Sequence, residues 1–326
     1  MRTIKWGVMS TAYIFERDTA EGMRQAENCE LYAIAGRSME KARLFKEKYG
    51  FSVAYGSYQE LLDDPQVEAV YIPLPNTMHV EWTIKALKAK KHVLCEKPLA
   101  PTAEKARQMF DAARENGVWL MEAFAYQHSP FIAAVEQAVK SGIIGDVRYM
   151  ESALITSDYD SSNIRMRRDT LGGCTYDLGV YCASLTQRMM GTEPKTVKAV
   201  STFAGDVDMY TTVLMEYENG ARVNFDCGMV LATERNSALD RFQIHGTLGS
   251  IESVNFGFNC PGELSYRIKT FDGRDEIVTV PTPHNYRLEV EQLGRCITEG
   301  ETPAVTEEFS LALARTIDRV LEAIGY

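Results

Sequence analysis

Five short apolar runs in the first 121 residues, each followed by a helix-like stretch, restrict this chain more than anything else in it. The runs are Ile4–Met9, Leu31–Ala35, Val67–Leu74, Val93–Cys95 and Val118–Met121. Strands that alternate with helices over short connections predict a parallel, doubly wound sheet with right-handed crossovers. Helix boundaries are written in the same stretch. Ser38 reads as an N-cap for a helix with Ala42, Phe45 and Tyr49 inward and Gly50 as its stop. Ser57 and Glu60 read as a capping box before Leu61 and Leu62, and Thr102 opens a helix that Gly117 ends.

The rhythm changes after Phe124. A helix over Phe131–Val139 gives way to alternating runs. Val213, Met215 and Tyr217 lead to Asn219-Gly220, and Ala221, Val223, Phe225 and Cys227 lead away, predicting a hairpin with a two-residue turn. Leu313, Ile317, Val320 and Ile324 mark a last helix. The expectation is an α/β protein: a doubly wound domain over 1–123, then an α+β domain over 124–326 with a large, mainly antiparallel sheet.

At 326 residues the chain is long enough for two cores. A net charge of −10 without any basic run argues against nucleic acid or an anionic membrane. The seven scattered cysteines form no CxxC pair and no metal spacing, so neither zinc nor another metal is expected. Their apolar settings suit reduced thiols in a cytoplasmic protein. No apolar span is long enough for a bilayer, and no signal core follows the N-terminus.

Two sites stand out at strand ends. The first strand runs into Gly7-Val8-Met9-Ser10-Thr11-Ala12, where a dinucleotide fold would carry G-x-G-x-x-G. Only Gly7 remains, but Ser10, Thr11 and Ala12 are small enough for a phosphate to approach a helix N-terminus. An ordinary strand-turn-helix would look the same. The second strand ends in Gly36-Arg37-Ser38, with no acid to take ribose hydroxyls. An arginine there suits the 2′-phosphate of NADP, so NADP is the preferred cofactor and NAD the alternative. A solvated surface arginine is the plain reading of the same residue.

Three further blocks carry more. They are Tyr71-Ile72-Pro73-Leu74-Pro75-Asn76-Thr77-Met78-His79, His92-Val93-Leu94-Cys95-Glu96-Lys97-Pro98, and Asp177-Leu178-Gly179-Val180-Tyr181 after Gly172-Gly173. With Gly145-Asp146-Val147, Gly191-Thr192-Glu193-Pro194 and Gly246-Thr247-Leu248-Gly249-Ser250, the chain resembles the glucose–fructose oxidoreductase / inositol dehydrogenase / rhizopine catabolism (Gfo/Idh/MocA) family. Tyrosine at 181, where many relatives carry histidine, resembles the branch of dimeric dihydrodiol dehydrogenases and sugar reductases. The resemblance implies a Rossmann domain and an open C-terminal sheet that serves a homo-oligomer, dimer or tetramer. It implies hydride transfer between a nicotinamide and a hydroxyl or carbonyl carbon of a sugar, cyclitol or related diol. A cofactor-binding sensor without turnover, and a tight-NAD enzyme of glycoside cleavage or internal redox, are the alternatives.

By the same resemblance Lys97 lies near the nicotinamide, and Asp177 and Tyr181 form the second motif. A phenol serves as acid or base at neutral pH when a neighbouring ammonium favours its phenolate. Tyr181 is therefore expected to be the general acid/base, with Lys97 as its activator; the reverse assignment stays open because the two would titrate together. Asp177 would orient a substrate hydroxyl or Lys97, four residues before Tyr181 on one helix face. Each has a plain alternative as a helix-start acid, a core aromatic or a solvated lysine. Pro73, Leu74, Asn76, His79 and Glu96 are expected along the cofactor; for His79 the plain alternative is a helix N-terminal residue packing locally. Arg165, Arg167 and Arg168 read as an exposed charged loop or as phosphate contacts, with Arg168 the candidate for cofactor. Tyr126, His128 and Tyr286 are pocket candidates by resemblance alone. A cis Lys97–Pro98 bond is expected after the strand.

Overall fold

The computed structural model describes residues 2–157, 159–231 and 238–326. They form two compact units, Met1–His128 with Pro283–Ser310, and Ser129–Thr282 with Leu311–Tyr326.

The first unit holds six parallel strands: β1 (Ile4–Met9), β2 (Cys29–Ala35), β3 (Val53–Tyr55), β4 (Ala69–Ile72), β5 (His92–Glu96) and β6 (Leu120–Ala123). Their order is β3-β2-β1-β4-β5-β6. Helices α1 (Ala20–Gln25), α2 (Met39–Tyr49), α3 (Tyr58–Asp63), α4 (His79–Lys88) and α5 (Ala103–Asn116) make the crossovers. The order reverses between β1 and β4, and a doubly wound sheet binds ligands beyond the carboxyl ends of its strands at such a point. Strand β3 has no counterpart among the expected elements. It is three residues long, half-buried and at the sheet edge, so it leaves no buried apolar run to read.

Caps fall where expected. Ser38, Ser57 and Thr102 side chains accept from the N–H groups of Lys41, Glu60 and Lys105. Glu60, however, reaches back to the N–H of Gly56 instead of closing a box on Ser57. A Cβ on Gly7 would lie 2.8 Å from Leu61, so the bareness of this residue lets α3 pack on β1.

Helix α8 (Asn285–Glu299) packs on α1 within the first unit. Close approach explains it: a Cβ on Gly22 would sit 2.7 Å from Tyr286. Asn28 donates to the Glu291 carbonyl at 2.8 Å from the other side.

In the second unit, eight strands form a mixed sheet in the order β14-β13-β12-β11-β7-β10-β9-β8. They are β7 (Val147–Thr156), β8 (Thr196–Ala204), β9 (Val207–Glu216), β10 (Arg222–Met229), β11 (Ala238–Gly246), β12 (Gly249–Asn255), β13 (Gly262–Thr270) and β14 (Asp275–Thr282). All neighbours are antiparallel except β7 and β10. Helices α6 (Pro130–Lys140) and α7 (Val180–Met190) pack on this sheet. A final helix, α9 (Glu307–Ile324), begins in the last residues of the first unit and continues in the second. Val213, Met215, Val223, Phe225 and Cys227 are buried as the alternation requires. The hairpin turn is longer than expected. Tyr217 still pairs with Ala221, leaving Glu218-Asn219-Gly220 as a three-residue loop with Gly220 at φ 77°. A type I turn followed by a left-handed glycine is the next most common hairpin connection.

Candidate active site

In the first unit the expected cofactor residues gather at one edge of the sheet. Ser10, Thr11 and Ala12 follow β1; Arg37 and Ser38 follow β2; Pro73, Leu74 and Asn76 follow β4; Glu96 ends β5 and Lys97 comes next. Helix starts at Tyr13 directly after the small residues, and a π-helical stretch covers Phe15–Thr19. Arg37 is exposed. A helix N-terminus and an arginine at one sheet edge fit the phosphates of a dinucleotide. The Ser38 hydroxyl is occupied as the cap of α2.

Lys97 is held from several sides. The Lys97–Pro98 bond is cis, as expected. Before it, the Glu96 carboxylate accepts from the Tyr71 hydroxyl at 2.6 Å, and Tyr71 meets Thr19 at 2.9 Å. After it, the Leu99 N–H donates to Glu122 at 2.9 Å. Burial raises Glu96 above the ordinary carboxylate range, against the Tyr71 bond and the Lys97 charge. Burial pushes Glu122 up to about 7. Glu289, wholly enclosed on α8, is raised well above its ordinary value by burial and by Glu96.

His79 does not line a cofactor surface. Its ring is 0 % exposed, with Nδ1 2.8 Å from the Pro98 carbonyl and Nε2 2.9 Å from the Leu74 carbonyl. A neutral imidazole donates through one nitrogen at a time. Burial and the Lys97 charge hold His79 below its ordinary range, against those two bonds. The ring ties the loop after β4 to the loop after β5, and so acts behind Leu74 and Lys97. Glu96 likewise faces inward to Tyr71, so its carboxylate supports Lys97 from beneath.

In the second unit Asp177 lies within a π-helical stretch, Thr175–Gly179, that runs straight into α7, where Tyr181 is the second residue. π-Helical turns recur at functional sites. The Asp177 carboxylate is paired with Arg165 at 2.7 Å, and the Tyr159 hydroxyl lies 3.5 Å away. Arg165 therefore belongs to this cluster. Arg167 pairs with Asp169 on the surface. Arg168, expected at the cofactor, instead covers the Tyr326 ring at 4.3 Å and reaches the Asp206 carbonyl.

The glycine pair has a local cause. A Cβ on Gly172 would strike the Arg165 and Arg167 carbonyls, and one on Gly173, at φ 97°, would strike Asp208. Asp208 is wholly buried and accepts from Thr175 N–H at 2.8 Å, Thr211 hydroxyl at 3.1 Å and Cys174 thiol at 3.0 Å. It holds the start of the turn that carries Asp177.

Residues 4–124 match the family described as oxidoreductase, NAD-binding Rossmann fold, and residues 132–252 match the GFO/IDH/MocA C-terminal domain. A D-xylose 1-dehydrogenase (NADP+) from Haloferax volcanii is 33% identical over 98% of this chain and 96% of its own length. The chain belongs to the Gfo/Idh/MocA oxidoreductase family. Its first unit is accordingly an NAD(P)-binding Rossmann domain. Human trans-1,2-dihydrobenzene-1,2-diol dehydrogenase is 28% identical over 99% of the chain and 97% of its length. Among solved structures, a 3-ketoreductase from Actinomadura kijaniata in complex with NADP and TDP-benzene superposes with a TM-score of 0.90. It shares 29% identity, covering 99% of this chain and 98% of that one.

Two residues of this Gfo/Idh/MocA chain had no sequence signal. Asp208 sits inside a β-strand with partners more than 30 residues away. Asn259, in the loop after β12, donates from Nδ2 to the Tyr181 hydroxyl oxygen at 3.1 Å. Tyr126 and Tyr286, candidates by resemblance, are buried in the first unit; Tyr126 accepts from Gln127 and Tyr286 reaches Asp18. Among the described residues no group of three His, Cys, Asp or Glu is placed to hold a metal ion, and no helix is long and apolar enough to cross a membrane. All seven cysteines are free thiols.

Proposed function

We propose that this chain is an NADP-preferring oxidoreductase that interconverts a hydroxyl and a carbonyl on a sugar, cyclitol or related diol. The single observation that supports it most is the setting of Lys97. It stands at the carboxyl edge of a Rossmann sheet, on a cis peptide, between carboxylates anchored by Tyr71 and Leu99. Bound nicotinamide supplies the hydride chemistry; the protein supplies the proton and the orientation. Ser10, Thr11 and Ala12 hold the diphosphate, and Arg37 takes the 2′-phosphate. Tyr181 passes the proton to or from the substrate oxygen, and Lys97 serves the same proton step from the first unit. Asp177, fixed by Arg165, orients a substrate hydroxyl. Xylose, dihydrodiols and a TDP-linked keto sugar name the substrate range of relatives, which favours polyhydroxylated rings. The outer sheet face carries Tyr149 and Leu214 exposed, and it is the face on which we place a homo-oligomer contact.

Fluorescence titration with NADPH and NADH, followed by turnover with aldoses, cyclic diols and keto sugars, tests this reading. NADPH should bind more tightly, and at least one panel member should turn over. Tight NADPH binding with no turnover across the panel would instead mark a sensor, and preference for NADH would overturn the role of Arg37.

A further inference from the structure

We propose that Asn259 is a positioning residue for Tyr181: its side-chain amide holds the phenol oxygen and favours loss of the phenol proton. The proposal rests on the reading of Tyr181 as acid/base given above.

Residues 256–261 join β12 to β13, and their first aromatic, half-buried, packs against rings of the core. Phe256 stacks on Phe131 at 5.6 Å and meets Phe242 edge-on at 5.0 Å. Phe258 continues the chain of rings, 5.0 Å from Phe256 and 5.4 Å from Tyr181. The backbone is pinned as well. Phe258 N–H donates to Asp240 at 3.2 Å, and Cys260 N–H to the Gly257 carbonyl at 3.1 Å. A Cβ on Gly257 would lie 2.5 Å from the Cys260 sulfur and 3.3 Å from the Asp240 carboxylate. The bare Cα of Gly257 leaves room for the Cys260 sulfur as the loop turns over that carboxylate. The consequence is a two-point hold on Tyr181, with Phe258 against its ring and Asn259 at its tip.

The chemistry follows from which atom donates. The amide gives a hydrogen bond to the phenol oxygen. Such a bond is stronger to a phenolate than to a phenol, so it favours the ionised form. With one side of the oxygen taken by a donor, the O–H is directed to a different acceptor, as delivery to a reacting carbonyl requires. The amide does this without adding charge. Asn259 Oδ1 is itself buried without a hydrogen-bond partner, a cost that a purely structural asparagine would be expected to avoid.

The test uses the full-length protein with tyrosine labelled at the ring carbon bearing the hydroxyl. The Tyr181 resonance is identified by its loss in Y181F, and its chemical shift is followed against pH in wild type, N259D and N259L. N259D keeps the shape but replaces the donor by an acceptor. The Tyr181 midpoint should rise by about 1 pH unit or more in N259D, and in the same direction in N259L. The kcat pH profile should move with it, with kcat near neutrality falling about 10-fold. Other titrating groups on the surrounding elements are Asp177 with Arg165, Asp240, Asp226 on β10, Glu136 with Arg188, Glu151 with Arg241, Cys182 and Cys260. The Y181F comparison separates them from Tyr181. If either folded variant leaves the Tyr181 midpoint unchanged, the proposal is overturned. If the midpoint moves and kcat does not follow, Asn259 holds Tyr181 as argued and it is the acid/base role of Tyr181 that fails.

Discussion

Replacing Glu122 by glutamine should change how stability depends on pH in a way the structure lets us calculate. Glu122 lies on β6, 3 % exposed, and burial raises its carboxyl from 4.5 to about 7. Its one oxygen accepts from Leu99 N–H, a contact that glutamine retains through its carbonyl. The folded state therefore binds this proton more tightly than the unfolded chain does. Below pH 4.5 both states are protonated and the group costs nothing. As pH rises to about 7 the unfolded chain ionises first, and stability falls; above that the loss levels off. At about 1.4 kcal/mol per pH unit the full loss is about 3 kcal/mol. The E122Q protein lacks this term. Denaturant unfolding of both proteins at pH 4.5, 6 and 8 should give near-equal stability at the lowest pH. The variant should then gain, reaching an advantage of up to about 3 kcal/mol at pH 8. Glu289 and Asp240, also raised by burial, are common to both proteins and cancel in the difference, whereas the Glu96 charge, which helps to raise Glu122, belongs to the effect measured. Parallel pH curves would show that Glu122 is not held neutral, and the account of how the Lys97 loop is anchored would need revision.

Two further outcomes follow from the same geometry. D208A removes the acceptor for Thr175 N–H and the Cys174 and Thr211 side chains, and should cost about 2–5 kcal/mol in unfolding experiments, with D208N in between. R37A should weaken NADPH binding about 10-fold or more in fluorescence titration while leaving NADH unchanged, because only NADP carries the phosphate that the guanidinium would grip.

What could be read from the chain divides by the range of the interactions involved. Strands β1, β2, β4, β5 and β6 were legible because each is an apolar run bounded by a local turn or cap. Strand β3 was not, since Val53–Tyr55 is half-exposed and too short to show a pattern. Lys97 and Tyr181 could be picked out because their neighbours in sequence carry the motif. For His79 the chain left a place along the cofactor and local packing both open, because its ring partners, the Leu74 and Pro98 carbonyls, are set by the fold. Arg168 was drawn to the cofactor by charge alone and is engaged with Tyr326. Asp208 and Asn259 are ordinary residues in their own segments. Their meaning comes from partners such as Thr175 and Tyr181 that approach only after the sheet forms.

The central proposal is that Lys97 and Tyr181 serve the same proton-transfer step. Its most direct test is a double-mutant cycle on kcat with K97M, Y181F and the double variant, at saturating NADPH and substrate. The account predicts that each single change lowers kcat about 100-fold or more, and that the double variant is little worse than the poorer single. Losses that multiply independently, or a single variant with unchanged kcat, would contradict it.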